Sequence, residues 1–103
     1  MSLEAVTWAR KQALSDTGTK LVLVELAYLA DKKHRCFPGR AHLAEVSGQD
    51  VEKVTADLRA LRAGKLLADT GERAGPNRRA VVWVLGVDGP VDDAGADGWD
   101  LPV

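Results

Sequence analysis

The sequence contains a single cysteine, Cys36, among its 103 residues. An intramolecular disulfide is therefore excluded, and a reducing compartment is expected. No apolar run approaches the roughly 20 residues that a membrane-spanning helix needs. Residues 1–12 also lack the apolar segment of a secretion signal. We expect a cytoplasmic protein, without a membrane partner, that folds around one core of its own.

Lysine and arginine are absent from residues 86–103, which hold five aspartates. All 14 basic residues lie in residues 1–85 with ten acidic ones, so the total charge of -1 divides into +4 and -5. The acidic segment contains glycine and proline and has no hydrophobic periodicity. We therefore predict a domain at 1–85 and a flexible acidic tail at 86–103.

Two roles for this acidic tail stay open at this point. The first role is that of a solubilising end. The second is that of an interacting segment, which either folds back on a basic surface as a DNA mimic or binds a partner protein. An isolated tryptophan favours the second role, because a solubilising end has no need of a large apolar side chain. The residues that would carry that role are Asp92, Asp93, Asp97, Trp99 and Asp100.

Apolar spacing predicts three helices in the body. The first runs from Lys20 to about Lys33, and Thr17 or Thr19 is its expected N-cap. The second begins at about Arg40 and ends before Gly48. The third covers 51–63 behind the N-cap Asp50. The residues expected to point inward from the second and third helices are Leu43, Ala44, Val46, Val51, Val54, Leu58 and Leu61. Residues 1–10 form a short helix or an extended arm.

The connections between these helices complete the pattern. Pro38 holds Phe37 in an extended conformation, so Phe37 is expected to enter the core from a short strand-like link. Gly64 ends the third helix, and strands at 66–70 and 79–85 follow, joined by a turn-rich loop at 71–77. The order predicts an α+β fold, mostly α. It is a winged helix-turn-helix with a three-helix core and a C-terminal β-hairpin wing.

This sequence resembles one family of winged helix-turn-helix DNA-binding domains. The family occurs in small proteins of Gram-positive bacteria, including actinobacteria, and of their phages and plasmids. The resemblance covers about residues 4–85. Three positions depart from it: Gly39 replaces a serine cap, Asp50 replaces a serine or threonine cap, and Lys53 replaces a common threonine. The residues that carry it are 20–23, 26–27, 36–38, 43–44, Gly48, Val54, Leu58, Leu61 and Gly64.

In helix-turn-helix geometry the third helix enters the major groove of DNA. Its outward side chains are then the candidates for contacts with base edges. These candidates are Gln49, Glu52, Lys53, Ala56 and Arg59. The alternative is that the stripe of Ala56, Ala60 and Ala63 packs against another helix, in a dimer or a partner protein.

Arginine on the predicted hairpin suits contacts with phosphates or with the minor groove. A second basic group surrounds the start of the second helix, where backbone N–H groups would also face a phosphate. The expected backbone-contacting residues are Arg40, His42, Arg73, Asn77, Arg78 and Arg79. A solvated turn is the simpler explanation of the hairpin arginines.

No nucleophile–base–acid set and no phosphate-binding glycine loop is present in the sequence, so we do not expect an enzyme or a cofactor. His34, Cys36 and His42 have metal-binding side chains, but the spacing offers no fourth ligand. Cys36 is more simply a thiol of the core, and no metal site is predicted.

These patterns predict sequence-specific binding of double-stranded DNA by a homodimer, since one such module contacts few bases. The protein would regulate transcription, or assist replication or partition of a plasmid or phage, and would associate with the nucleoid when bound to DNA. The alternative is a protein–protein interaction module that uses the alanine-rich third helix and the acidic tail with its tryptophan.

Overall fold

The computed structural model describes residues 3–94. Within them the chain forms four α-helices and one three-stranded antiparallel sheet, which confirms the predicted α+β class with mostly helical content. The elements, in chain order, are α1 Leu3–Lys11, α2 Thr17–Leu29, β1 Arg35–Cys36, α3 Arg40–Ser47, α4 Val51–Ala63, β2 Leu67–Ala74 and β3 Ala80–Leu85.

Residues 1–10 were predicted to form either a short helix or an extended arm. The structure has a helix there, α1, which buries Ala5 and Ala9. Helix α2 begins earlier than predicted, because Asp16 is its N-cap and accepts a hydrogen bond from the backbone N–H of Thr19 at 3.0 Å. The predicted caps Thr17 and Thr19 lie inside the helix instead. A carboxylate caps a helix at least as well as a hydroxyl does.

Helix α2 ends at Leu29, before the lysines that were expected to complete it, because Ala30 adopts an extended conformation. The chain then enters β1, where Cys36 is buried and Phe37 is 55% exposed. The prediction that Phe37 enters the core was wrong. Successive side chains of a strand point to opposite faces, so burying Cys36 turns Phe37 outward.

Helices α3 and α4 have nearly the predicted bounds, and Leu43, Leu58 and Leu61 are buried as expected. Val46 and Val51, predicted to point inward, are 46% and 44% exposed. Val46 lies in the last turn of α3 and Val51 opens α4, so each lies at a helix end.

Strand β3 lies in the centre of the sheet, with β1 and β2 antiparallel on either side. Strand β2 extends to Ala74, so the predicted loop shrinks to a turn at 75–78. A bulge between Asp69 and Arg73 makes this longer strand possible, with Gly71 at a φ of 87°. Trp83 of β3 and the helical leucines form the core between sheet and helices.

Candidate nucleic-acid interface

Helices α3 and α4 are joined by a tight turn at residues 48–50. Gly48 takes a left-handed φ of 68°, and its N–H donates back to carbonyl groups of α3. The N–H of Gln49 donates to the carbonyl of Ala44 at 3.0 Å. The Asp50 carboxylate then accepts from the N–H of Lys53 at 2.7 Å and starts α4. Two short helices are therefore held at a fixed angle by a glycine and a cap.

A buried carboxylate fastens this helix pair to α2. Asp57 of α4 is 2% exposed and accepts three hydrogen bonds. The donors are the hydroxyl of Thr19 at 2.8 Å, the amide of Gln49 at 2.9 Å and the ammonium of Lys53 at 2.6 Å. We call Asp57, Thr19, Gln49 and Lys53 the polar junction. Sequence reasoning missed Thr19 and Asp57, since neither stands in a recognisable motif.

Lys53 and Gln49 were predicted to contact bases, and the structure places both in the polar junction. The ammonium of Lys53 also lies 3.1 Å from the Asp16 carboxylate, which caps α2. Hydrogen bonds to Asp57 and then Asp16 raise the pKa of Lys53 above its usual range. The pKa of Asp16 is lowered, first by the N–H of Thr19 and then by Lys53. These two side chains hold helices together, and to contact a base they would have to leave their partners.

The other three predicted base-contacting residues lie on the exposed surface of α4. They are Glu52, Ala56 and Arg59, and Ala60 and Ala63 extend the same exposed face. This face has one acidic and one basic side chain among small ones. It can approach another surface closely, and it offers both a hydrogen-bond acceptor and a cationic donor.

The turn of the β2–β3 hairpin presents Arg78 and Arg79 to solvent. The turn is tight, with the N–H of Arg78 bonded to the carbonyl of Gly75 and the Asn77 side chain accepting from the N–H of Arg79. Arg73 behaves differently, because its guanidinium makes two hydrogen bonds to the fully buried Asp69, at 3.0 and 3.2 Å. Of the three arginines predicted to contact the DNA backbone from the hairpin, Arg73 is thus held by an ion pair inside the domain.

Arg79 and Asn77 line a groove with the start of α3. This groove has a volume of about 300 Å³, and its walls also include Arg40, Pro38 and Trp83. The Arg40 guanidinium donates to the hydroxyl of Thr55 in α4, at 3.2 Å. The hairpin turn and the start of α3 therefore form one basic groove, and Arg40 connects it to α4. His42, also predicted here, is exposed and lines a neighbouring apolar groove instead.

Residues 91–94 of the acidic segment lie along the outer edge of β2. The N–H of Val91 donates to the carbonyl of Lys65 at 3.1 Å, and that of Ala94 to the carbonyl of Asp69 at 2.8 Å. The Asp93 carboxylate pairs with Arg62 and accepts from the N–H of Asp69.

Charge pairing adds to these backbone contacts. Asp92 pairs with Lys65, and the Arg62 guanidinium, ahead of the backbone contact, lowers the pKa of Asp93. Asp92 and Asp93 thus lie at the C-terminal end of α4, at the opposite end of the hairpin from its turn. Asp97, Trp99 and Asp100 lie outside the described residues.

Large apolar side chains are exposed on one face of α2 and α3. Leu21, Val24 and Tyr28 of α2 border a groove of about 330 Å³ with Val46 of α3. A second groove of about 290 Å³ adjoins it, lined by Leu29, Phe37, Pro38 and His42. We call these two grooves the α2–α3 apolar face. The sequence analysis did not predict this face, because Val46 and Phe37 were assigned to the core.

Cys36 is buried, as predicted for a thiol of the core. Its burial raises the pKa of the thiol to about 12, so the thiol stays protonated and unreactive. No helix in residues 3–94 is both long and apolar enough to cross a membrane.

The chain matches no family model, no curated protein and no solved structure. Inference about function rests on the geometry of the chain itself.

Proposed function

We propose that this chain is a winged helix-turn-helix protein that binds double-stranded DNA as a homodimer. It would regulate transcription, or assist replication or partition of a plasmid or phage. Helix α4 would enter the major groove, and the β2–β3 hairpin would be the wing. The order α2, β1, α3, α4, β2, β3 and the sheet order β1-β3-β2 support this assignment.

One observation carries the proposal. Arg40, Arg79 and Asn77 come from two separate elements and line a single groove, while Arg78 projects from the adjoining turn. Arg40 also touches α4 through Thr55. Cations grouped beside a helix with an exposed, small-residue face are the arrangement that a DNA backbone and its major groove require.

Base recognition is assigned to Glu52, Ala56 and Arg59. Arginine donates to guanine, glutamate accepts from the amino group of cytosine, and alanine contacts the methyl group of thymine. Gln49 and Lys53 contribute by holding the angle between α4 and α2. Substitution of Lys53 is then expected to affect stability before it affects sequence preference.

The experiment that tests the proposal is selection of binding sites from a randomised duplex library with the purified chain. A twofold-symmetric site is expected, with half-sites about one helical turn apart or a multiple of it. Arg59→Ala should alter the enriched sequence at one position of each half-site. Failure to enrich any sequence above the starting library would contradict sequence-specific binding.

The α2–α3 apolar face is the proposed dimer contact. Five of its large side chains, Leu21, Tyr28, Leu29, Phe37 and Val46, are 40–55% exposed. At roughly 150–250 Å² for a large side chain, they expose on the order of 400 Å² of apolar surface. Monomeric proteins rarely expose more in one patch, and two such faces with their polar rims approach the area of a specific interface.

Tyr28→Glu combined with Phe37→Glu is expected to convert the dimer to a folded monomer whose far-UV circular dichroism is unchanged. Both side chains are already more than half exposed, so the charges disturb only the contact between copies. Leu3→Glu is the matched control, because Leu3 is 72% exposed on α1, outside this face. Sedimentation velocity distinguishes the species. A dimer that persists in the double variant would show that the contact between copies does not lie on the α2–α3 apolar face.

The acidic tail is proposed to compete with DNA for the basic body. Asp97→Asn combined with Asp100→Asn should raise duplex affinity several-fold at about 50 mM salt, since two repelling charges are removed. The gain should vanish at high salt, where screening removes such effects. Unchanged affinity at low salt would leave the tail as a solubilising end.

The alternative function is a protein–protein interaction module that does not touch DNA. The exposed Ala56, Ala60 and Ala63 favour it, because small side chains let another helix approach α4 closely. The library selection separates the two functions, since an interaction module would enrich no sequence.

A further inference from the structure

Three distant chain segments place metal-binding side chains at one point. Glu4 lies in the first turn of α1, His34 in the turn before β1, and Asp88 in the turn after β3. Their ligand atoms, one from each side chain, all lie within 4.8 Å of one another. Sequence spacing could not reveal this group, because its members are separated by 30 residues or more along the chain.

The distances match those between ligands of a small divalent cation. The Nε2 atom of His34 lies 3.1 Å from Oε1 of Glu4 and 3.5 Å from Oδ2 of Asp88. Ligands of a tetrahedral zinc ion, with bonds of about 2.0–2.1 Å, stand about 3.3 Å apart. Both distances from the imidazole therefore match this spacing, and the two carboxylates lie within 4.8 Å of each other on exposed side chains that can adjust to an ion.

The histidine is held in place and the carboxylates are accessible. His34 adopts a left-handed φ of 62°, its N–H donates to the carbonyl of Asp31, and its own carbonyl accepts from the N–H of Leu85. Its side chain is 13% exposed, whereas those of Glu4 and Asp88 are 69% and 85% exposed. A fixed imidazole with two solvated carboxylates leaves room for water as the remaining ligand.

His34 also occupies an energetically costly position. Its Nδ1 atom is buried and has no hydrogen-bond partner among the described residues. A buried ring nitrogen without a partner costs free energy, and the left-handed backbone adds to that cost. Such costs are typical of residues held for a function.

We propose that Glu4, His34 and Asp88 bind a divalent transition-metal ion of the zinc class. One imidazole and two carboxylates suit zinc or manganese, whereas magnesium and calcium prefer oxygen ligands alone. The bound ion would connect α1 to the turn before β1 and to the chain beyond β3. It would stabilise the domain from the side opposite the hairpin turn. This site is independent of DNA binding.

The test is the melting temperature of the full chain, without an affinity tag, in the presence of Zn²⁺. At a free Zn²⁺ concentration about tenfold above the dissociation constant, the melting temperature should rise by about 5–10 °C and return with a chelator. Mg²⁺ at the same concentration should cause little change. Co²⁺ should produce the visible absorption bands of a coordinated ion with the same dependence on the three residues.

Variants assign the effect to these ligands. Glu4→Gln combined with Asp88→Asn should abolish the Zn²⁺ shift, and both side chains are exposed enough to be replaced without unfolding the chain. His42→Gln replaces the other histidine of the sequence and should retain the full shift. Absence of a shift in the wild type, or its persistence in the Glu4/Asp88 variant, would overturn the proposal.

Discussion

Asp57→Ala is expected to lower the free energy of unfolding by about 1–3 kcal/mol, the range for leaving a buried polar group without its partner. The carboxylate is 2% exposed and is the common acceptor for Thr19, Gln49 and Lys53. Its removal takes the acceptor from the Thr19 hydroxyl, whereas the Gln49 amide keeps Ser47 and the Lys53 ammonium keeps Asp16. Urea unfolding followed by circular dichroism measures the difference.

Glu52→Ala is the matched control for this variant, because Glu52 is an exposed acid on the same helix and its loss should change stability by less than about 0.5 kcal/mol. Lys53→Met should also lower stability, because it leaves the buried Asp57 carboxylate with two neutral donors and no cation. An Asp57→Ala protein as stable as the control would show that the polar junction does not hold α2 and α4 together.

Arg78→Ala combined with Arg79→Ala is expected to weaken binding to every duplex by at least roughly 100-fold at about 50 mM salt. Both side chains are exposed at the hairpin turn, and Arg79 lines the groove that contains Arg40. Loss of two phosphate contacts per copy should also reduce the salt slope by about 2 per copy. Fluorescence anisotropy with labelled duplexes measures both quantities.

Arg10→Ala combined with Lys11→Ala provides the control with the same change in net charge. These residues end α1, and Lys11 lines a groove with Val87 and Asp88, at the far end of β3 from the hairpin turn. Their replacement should leave affinity nearly unchanged. Equal losses in the two double variants would indicate that total charge alone attracts DNA and that the hairpin has no special contact.

The helices were predictable because local patterns determine them. Val54, Leu58 and Leu61 recur at helical spacing. Gly48 is a recognisable C-cap of α3, and Asp50 is a recognisable N-cap of α4. Val46 and Val51 were assigned inward from helical spacing, and Phe37 from the extended link before Pro38, yet all three are exposed. Sequence identifies an apolar side chain, but whether a neighbouring copy or the domain's own core covers it depends on tertiary arrangement.

The candidate site was predictable only in part. The position of Arg78 and Arg79 on a hairpin turn followed from glycine, proline and asparagine around them. The ion pairs of Lys53 with Asp57 and Asp16 could not be predicted in the same way, because Asp16 lies 37 residues away along the chain. The meeting of Glu4, His34 and Asp88 likewise depends on packing between distant segments.

The division of charge, +4 on residues 1–85 and -5 on residues 86–103, leads to the most direct measurement of the central claim. Wild-type chain is titrated onto a mixed-sequence duplex of about 20 base pairs between about 50 and 300 mM salt. With about three phosphate contacts per copy, the dimer should bind at low salt with a logarithmic slope of about -5. Binding that is undetectable at 50 mM salt, or independent of salt, would contradict DNA binding by this domain.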